Sequence, residues 1–387
     1  MKKLYLCHYS EIGLKGANRH VFERKLVENI KFSLNRTIPH SRVTVKVWRK
    51  RVLVQIPENI DHTLIEEALG NVFGIVNYSL AYVVQSDLQI ITQTCVDILD
   101  SYAFESFAIH TKRSDKTFHL KSYEVNKIVG SAVVEAFHKK VRLTEPDVQC
   151  VIEIIDDRTY IYVNKKLGLM GLPVGSNARV LSLLSAGIDS PVAAYYVMKR
   201  GSKCHFLHFH SHPFTSRASQ DKVLDLARQL NRFQYQSKVY MVPFTESQQE
   251  IVLNCPDRFR LLLFRRFMMR IAERLALKKK CKAVVTGDSL GQVASQTVEN
   301  LSAIEAVIRM PVLRPLIGLD KSEIMEKART IGSYDISNRP HDDVCTRFMP
   351  KHPEIKARLQ DVEKAEHNLA VEEMVKRDVE NVEIIKI

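Results

Sequence analysis

The chain has 387 residues, more than one hydrophobic core usually organises, so we expect two or three domains. Hydrophobic residues make up 45% of it, as in ordinary soluble globular proteins. Lysine and arginine number 57 against 44 acidic residues, and the resulting net charge of +13 favours a polyanionic partner, nucleic acid before membrane.

The sequence also bears on the compartment. It contains no run of about 18 apolar residues, so it predicts no membrane-spanning helix. The N-terminus reaches a charged residue, Glu11, before a signal-peptide core could form. We therefore expect a cytoplasmic protein with no membrane partner. The seven cysteines are scattered and never form a Cys-x-x-Cys pair, which argues against a disulfide framework and against a cysteine zinc site.

The first part of the chain mixes strand and helix patterns. Residues 1–60 alternate the two, and residues 61–168 repeat that style, which predicts small α+β domains. The predicted elements, in chain order, are a strand at 3–9, a helix at 18–34, a hairpin of 43–47 with 51–56, helices at 63–69 and 88–102, a strand at 106–111, a helix at 124–139, and strands at 148–155 and 158–163.

A glycine-rich segment, 168–175, is typical of a linker, and the pattern changes after it. Continuous apolar runs at 179–184, 204–209, 238–243 and 282–286 are separated by long helical patterns. Such runs predict parallel strands buried on both faces, so we expect residues 169–387 to form a doubly wound parallel sheet. The charged residues from about 353 onwards predict a C-terminal helix.

The sharpest local signal is the loop of residues 185–190, which we name the phosphate loop. It follows a predicted strand and opens a predicted helix, where backbone N–H groups and a helix N-terminus can bind phosphate. Pro191 suits the first helical position, Ser190 the cap before it, and Gly201 the end of the helix. An ordinary strand–turn–helix with a capping serine explains the same residues.

The phosphate loop resembles the PP-loop of ATP pyrophosphatases. That motif typically reads Ser-Gly-Gly-x-Asp-Ser, whereas this chain has Ala186 at the first glycine. The methyl group is acceptable if φ is negative there. The chain contains no Gly-x-x-x-x-Gly-Lys-Ser/Thr motif, so γ-phosphate chemistry of the Walker type is not indicated.

Further motifs occur in a fixed order along residues 1–350. They are EIGLKGANR (11–19), GLPVG (171–175), HFHS (208–211), PFTS (213–216) and TGDSLGQVASQT (286–297). Together with the loop they resemble the tRNA 4-thiouridine synthetases, also called tRNA uracil 4-sulfurtransferases. The resemblance implies a ferredoxin-like domain at 1–60, an RNA-binding THUMP domain at 61–168 and a PP-loop domain at 169–387. Some members also supply sulfur for thiamine synthesis.

The resemblance implies a reaction. ATP transfers AMP to O4 of uridine 8 in tRNA, and sulfur then adds at C4 and expels AMP. The implied nucleotide contacts are Leu183, Leu184, His208, Phe209, Arg265, Gly287 and Gln296. Ser185, Gly187, Asp189 and Ser190 are assigned to pyrophosphate and Mg²⁺, with Asp189 catalytic. Lys321 would neutralise charge at the transferring phosphate, or serve only as a lysine at a helix start. Leu183 and Leu184 can equally be strand core, and Arg265 a surface arginine.

Four histidines, His205, His208, His210 and His212, raise the question of a metal. Their spacing matches no familiar zinc pattern, and no cysteine or carboxylate joins them. We therefore expect no metal held by these side chains, and roles in the core or in nucleotide packing instead.

A cysteine in the segment 341–348 (HDDVCTRF) is the candidate for sulfur chemistry. Cys345 follows Pro340 in a polar segment, which favours exposure. The resemblance implies that Cys345 handles sulfur, as a persulfide carrier or in a disulfide that releases it. Its partner is open, Cys204 being one candidate. The chain stops at Ile387, too soon for a rhodanese domain, so we expect sulfur from a cysteine desulfurase or another carrier protein.

Basic residues interleaved with aromatic ones suggest RNA contacts in the middle of the chain. Four of them are the candidates, namely Lys112, Arg113, Lys116 and Lys121. A solvated charged face is the alternative, and the THUMP resemblance favours tRNA. The resemblance to the 4-thiouridine synthetases also implies a homodimer, because members of that family use a tRNA that spans two subunits.

Two rival functions remain. The first is another PP-loop enzyme, which would make a small-molecule amide or thioamide, and the basic N-terminal half argues against it. The second is a tRNA-binding protein without catalysis, against which Asp189, Ser190 and Cys345 argue.

Overall fold

The computed structural model describes residues 1–57, 59–114, 117–213, 217–340 and 352–387. The chain divides into two units, Met1–Pro173 and Val174–Ile387. The division falls inside the glycine-rich segment 168–175. Each unit contains one sheet among the described residues.

The first unit is built on a nine-stranded sheet with the order β2-β3-β1-β4-β8-β7-β5-β6, and β9 pairs with β4. Its strands are β1 Lys2–His8, β2 Thr44–Trp48, β3 Arg51–Gln55, β4 Asn77–Gln85, β5 Ser106–Arg113, β6 Lys140–Val141, β7 Val148–Ile155, β8 Arg158–Val163 and β9 Lys166–Leu167. Its helices are α1 Arg19–Thr37, α2 His62–Gly70, α3 Leu88–Leu99 and α4 Ser122–Phe137. One apolar core contains residues of α1 and α2, and another contains residues of α3 and α4.

The two halves of this sheet also meet on a third buried cluster. Leu53 of β3 and Val151 of β7 both belong to it, although β1, β4 and β8 lie between their strands. Residues of those intervening strands complete the cluster, and the ion pair between Arg51 of β3 and Glu153 of β7 shows that the sheet coils enough for distant strands to approach each other.

Glu153 of β7 anchors that approach. Its side chain is 1% exposed and accepts a hydrogen bond from Arg51 Nε of β3 at 2.6 Å. The Tyr162 hydroxyl donates to it at 2.8 Å, and His8 Nε2 lies 3.0 Å from Oε1. Burial alone would raise the pKa of Glu153, but His8, Arg51 and Tyr162 together hold that pKa far below its ordinary value.

We predict that Glu153→Gln lowers the free energy of unfolding of the first unit by about 3 kcal/mol, because Arg51 is left as a buried charge without its counter-ion. Urea unfolding can be followed by fluorescence, since the single tryptophan, Trp48, lies in β2. A depressed pKa contributes stability that is lost as pH falls, so the difference from wild type should narrow below about pH 4.

The control is Glu105→Gln. Glu105 pairs with Lys139 at 2.7 Å, but its side chain is 87% exposed, so the expected change is below about 1 kcal/mol. Equal unfolding curves for wild type and Glu153→Gln would contradict the anchoring role.

The second unit is built on a six-stranded sheet with the order β14-β13-β10-β11-β12-β15. Its strands are β10 Val180–Leu183, β11 Cys204–His210, β12 Lys238–Pro243, β13 Val284–Val285, β14 Val312–Leu313 and β15 Glu383–Lys386. Its helices are α5 Asp189–Lys199, α6 Ala218–Gln234, α7 Thr245–Asn254, α8 Arg260–Lys278, α9 Val298–Glu305, α10 Lys321–Thr330, α11 Tyr334–Ser337, α12 Leu359–Glu366 and α13 Val371–Glu380.

Five of these strands are parallel, which confirms the predicted sheet. From β10 the chain passes through α5 to β11 on one side, and it later returns to β13 on the other. The strand order therefore reverses at β10. In open α/β sheets, ligands bind outside the carboxyl ends of the strands at such a reversal. The phosphate loop begins two residues after β10 ends.

The C-terminal prediction was wrong in one respect. Residues 359–366 and 371–380 are helical, but Glu383–Lys386 forms β15 and pairs antiparallel with β12. The chain therefore ends as an edge strand of the sheet.

Candidate active site

A cavity of about 360 Å³ lies at the carboxyl ends of β10 and β11. It brings together residues that are far apart in sequence. Nine of the ten residues predicted to bind the nucleotide line the cavity, and so does Asp189. The tenth, Gly187, is not among the lining residues. The nine are Leu183, Leu184, Ser185, Ser190, His208, Phe209, Arg265, Gly287 and Gln296.

The phosphate loop is closed by its two serines. Ser190 Oγ accepts a hydrogen bond from Ser185 N at 3.0 Å and lies 3.1 Å from Ser185 Oγ. Gly187 N donates to Ser185 Oγ at 3.2 Å. The predicted helix start was two residues too late, because α5 begins at Asp189. Ser190 bonds back to the loop instead of capping the helix.

Backbone conformation explains the residue choice in the loop. Ala186 is not among the residues with positive φ, so its methyl group is accommodated as expected. Gly201, φ 89°, ends α5 as predicted. Gly287 is required for a different reason. A Cβ there would lie 2.9 Å from Ser190 N and 3.0 Å from Ser190 Cα, so only glycine lets the loop pack against this strand end.

Asp189 is held by two side chains. Lys321 Nζ donates to its Oδ1 at 2.6 Å, and Gln292 Nε2 donates to its Oδ2 at 3.0 Å. Lys321 is the first residue of α10, where Asp320 forms the N-cap. Lys321 therefore starts a helix and also reaches the loop, and its role at the transferring phosphate stays a prediction.

A buried carboxylate supports the wall of the cavity. Asp288 Oδ1 accepts from Arg265 Nη2 at 2.5 Å and from Gln296 Nε2 at 3.2 Å. Burial would raise the pKa of Asp288, but Arg265, Thr286 and Arg314 outweigh it and hold that pKa below its ordinary value. The alternative of a surface arginine is wrong for Arg265, whose side chain is 19% exposed and lines the cavity.

Asp288 and Gln292 are not among the site residues that the sequence predicts. Both lie inside the 286–297 motif that carries the family resemblance. That motif was the available signal.

Two of the four histidines, His205 and His208, make polar contacts within the fold. His208 Nδ1 lies 2.9 Å from the Leu184 carbonyl oxygen. Lys238 N donates to His205 Nδ1 at 3.3 Å, and burial with nearby Arg179, Lys203 and Lys238 lowers the pKa of His205 to about 4. Within the described ranges, no group of three or more His, Cys, Asp or Glu side chains could hold a metal ion.

Two predicted residues, Cys345 and Lys116, lie outside the described residues. The six described cysteines are all buried. Cys204 is 0% exposed, and burial raises the pKa of its thiol. The thiol of Cys204 therefore has no access for exchange with a sulfur carrier in this conformation.

The basic candidates of the first unit differ in their surroundings. Lys112 and Lys121 are exposed, on β5 and at the start of α4. Arg113 is half-buried and donates to the carbonyl oxygens of Phe118 at 2.8 Å and Leu120 at 2.5 Å. Arg113 thus shapes the loop before α4.

In the part of the chain that the structure describes, no helix is long and apolar enough to span a membrane.

Family models match the chain in three successive segments. They are the ThiI ferredoxin-like domain at 4–79, the THUMP domain at 85–164 and the thiamine biosynthesis protein (ThiI) at 175–371. A "Probable tRNA sulfurtransferase" of Moorella thermoacetica is 43% identical over 99% of this chain and 97% of its own. The chain belongs to the ThiI family. A second relative of that description, from Coxiella burnetii, is 39% identical over both full lengths.

Solved structures agree with this ThiI assignment. A 4-thiouridine synthetase crystallised with RNA and bound ATP is 35% identical, covers both chains completely and superposes with a TM-score of 0.90. A Pyrococcus horikoshii protein, 24% identical with a TM-score of 0.67, shares the fold over 85% of this chain and 99% of its own. The sequence resemblance and the predicted order of ferredoxin-like, THUMP and PP-loop domains are thereby confirmed.

Proposed function

We propose that this ThiI protein is an ATP-dependent tRNA uracil 4-sulfurtransferase that converts uridine 8 of tRNA to 4-thiouridine. The observation that carries the proposal is the cavity at the reversal of the sheet, which the phosphate loop lines and beside which Lys321 pairs with Asp189 of that loop. Membership of the ThiI family supports the same reaction, and so does the similarity to a synthetase crystallised with RNA and ATP.

The cavity has the chemistry that ATP needs. Its volume of about 360 Å³ falls within the range of small-molecule sites. Gln296 Oε1 is a buried acceptor without a partner among the described residues, and Arg265 offers a cation for phosphate. The N-terminus of α5 adds backbone N–H groups beside the loop. Mg²⁺ fits the Asp189 carboxylate, and when bound it would supply positive charge beside the phosphates.

The reaction proceeds in two displacements. O4 of the uridine attacks the α-phosphorus of ATP, and pyrophosphate leaves as the new O–P bond forms. A sulfur nucleophile then adds at C4, and the C4–O4 bond breaks so that AMP departs with that oxygen. Adenylation is needed because a carbonyl oxygen alone is a poor leaving group.

The side chains of the site take defined parts in this scheme. Residues 185–190 bind the departing pyrophosphate. Lys321 leaves Asp189 when nucleotide binds and neutralises charge at the transferring phosphate. Exchange of one anionic partner for another keeps the ammonium group paired throughout.

Cys345 carries the sulfur in this proposal as a persulfide. A second thiol attacks the inner sulfur, so that the S–S bond breaks, a disulfide with Cys345 forms and the outer sulfur passes to C4 of the uridine. Because all six described cysteines are buried, a second thiol is best sought outside this chain. A cysteine desulfurase or another carrier supplies the sulfur in the cytoplasm. The proposal extends to sulfur for the thiamine thiazole, which the description of the matching family model as a thiamine biosynthesis protein supports.

The test is an assay with unmodified tRNA, ATP and sulfide, followed by mass spectrometry of the nucleosides. We expect 4-thiouridine only when ATP is present, with one AMP and one pyrophosphate released for each. ATP consumption without tRNA would favour a small-molecule synthetase. Binding of tRNA with no release of pyrophosphate would favour the non-catalytic alternative.

The first unit binds the tRNA in this proposal, and a homodimer would let one tRNA reach both units. We predict that affinity falls steeply with salt, because bound lysines displace counter-ions from the phosphates. Lys112→Ala should lower the slope of log affinity against log salt by about one. Filter binding over a salt series measures this.

The matched control is Lys139→Ala. Lys139 belongs to the same unit but is paired with Glu105, so we expect the slope to stay unchanged. A salt-independent affinity of the wild type would contradict RNA binding by these basic residues.

A further inference from the structure

Asp288 is the most heavily used carboxylate near the cavity. Its side chain is 4% exposed, and four groups surround it. Besides Arg265 and Gln296 on Oδ1, Thr286 Oγ1 donates to Oδ2 at 2.7 Å and Arg314 Nε lies 3.4 Å from Oδ2. A buried carboxylate is tolerated only when it is paired in this way.

Three of these partners, Arg265, Gln296 and Thr286, line the cavity, as does Asp288 itself. Ser295 Oγ also accepts from Arg265, at 3.0 Å, so the guanidinium plane is fixed at both ends. The amide of Gln296 is oriented as well. Because its Nε2 donates to Asp288, its Oε1 remains as the buried acceptor without a partner in the described part of the chain.

We infer that Asp288 is a positioning residue, which sets Arg265 and Gln296 for the nucleotide. The inference rests on the proposed function, since it requires that ATP occupy this cavity. Asp288 acts through its neighbours, because both of its oxygens are already used by the protein.

The substitution Asp288→Asn isolates this role. The asparagine has the same shape, but an NH₂ donor replaces one of the two acceptor oxygens. In place of Oδ1 the NH₂ group would face the donors of Arg265 and Gln296, and in place of Oδ2 it would face those of Thr286 and Arg314. The substitution also removes the negative charge that lies between the guanidinium groups of Arg265 and Arg314. If Gln296 turns to restore its bond, it presents a donor where the wild type presents an acceptor.

The experiment compares the wild type, Asp288→Asn and Asp378→Asn in the full chain. Asp378 is a matched control, since its side chain is 2% exposed in the same unit and bonds to Ser247 at 2.6 Å, away from the cavity lining. We expect Asp288→Asn to raise the Kd and KM for ATP at least about tenfold, with a smaller change in kcat. Asp378→Asn should leave the KM unchanged, even if both variants melt at lower temperature.

A double-mutant cycle identifies the route. In an Arg265→Ala background, Asp288→Asn should have a smaller effect on the Kd than in the wild type, because the two residues act as one unit. Equal effects in both backgrounds would overturn the route through Arg265. An unchanged KM in Asp288→Asn overturns the positioning role, and so does an equal rise in Asp378→Asn. Failure of the wild type to bind ATP contradicts the proposed function instead.

Discussion

Asp189→Ala should abolish thiolation, with a loss in kcat/KM of about 1,000-fold or more, while tRNA affinity stays close to that of the wild type. The variant removes the carboxylate that opens α5 and that Lys321 and Gln292 hold in place. Without it, Mg²⁺ loses its proposed ligand, and Lys321 loses the partner that keeps it beside the loop. The RNA contacts of the first unit are untouched, so binding and chemistry should separate.

The matched control is Glu372→Ala. Glu372 forms an ion pair with Arg274 at 2.5 Å, but its side chain is 81% exposed, and neither residue lines the cavity. The Glu372→Ala variant loses one negative charge, as Asp189→Ala does, but its turnover should stay unchanged. Thiolation is followed by the release of pyrophosphate and by nucleoside analysis. Normal turnover of Asp189→Ala would refute the assignment of this site.

The hydrophobic pattern predicts most of the strands, because these strands pair regularly with their neighbours in the sheet. Val148–Ile155, Arg158–Val163 and Lys238–Pro243 have the bounds that the sequence predicts. Each is a run of β-branched or aromatic residues with turn residues or charges at its ends. The short strand Val284–Val285 was predicted too long, since only its central residues pair.

One central strand, Asn77–Gln85, was missed. It pairs with β1 and β8 and so joins the two halves of the first sheet. Its burial does not alternate cleanly. Ser79 is buried and donates to the Asn164 carbonyl oxygen at 2.9 Å, whereas the neighbouring Leu80 is only half-buried. A polar side chain satisfied by a distant carbonyl cannot be recognised from the local pattern.

The same distinction between local patterns and long-range contacts applies to the residues of the candidate site. The phosphate loop is contiguous, so spacing alone could indicate it. Asp288 acts on Arg265, 23 positions away, and Gln292 acts on Asp189, 103 positions away. Such pairings depend on where the sheet brings the chain back, which local reasoning does not predict. The other cavity residues were named only because the motifs resemble those of a family.

Gly287→Ala should lower kcat/KM for ATP by about 100-fold although it adds a single methyl group. The new Cβ would lie 2.9 Å from Ser190 N, 3.0 Å from Ser190 Cα and 3.1 Å from the Asp189 carbonyl carbon. All three are backbone atoms at the start of α5, so no side chain can rotate away to relieve the overlap. The phosphate loop must shift instead, and displacements below 1 Å already cost catalysis heavily.

Gly318→Ala provides the comparison, since a Cβ at Gly318 meets no atom within 4 Å. It adds the same methyl group to the same unit, near Lys321, and should leave ATP binding and turnover unchanged. Calorimetric titration with ATP and a thermal melt of both variants separate loss of the site from loss of the fold. If Gly287→Ala bound ATP as tightly as Gly318→Ala, a shift of the phosphate loop would not affect ATP binding. The proposed binding of pyrophosphate could then not depend on the observed geometry of the loop.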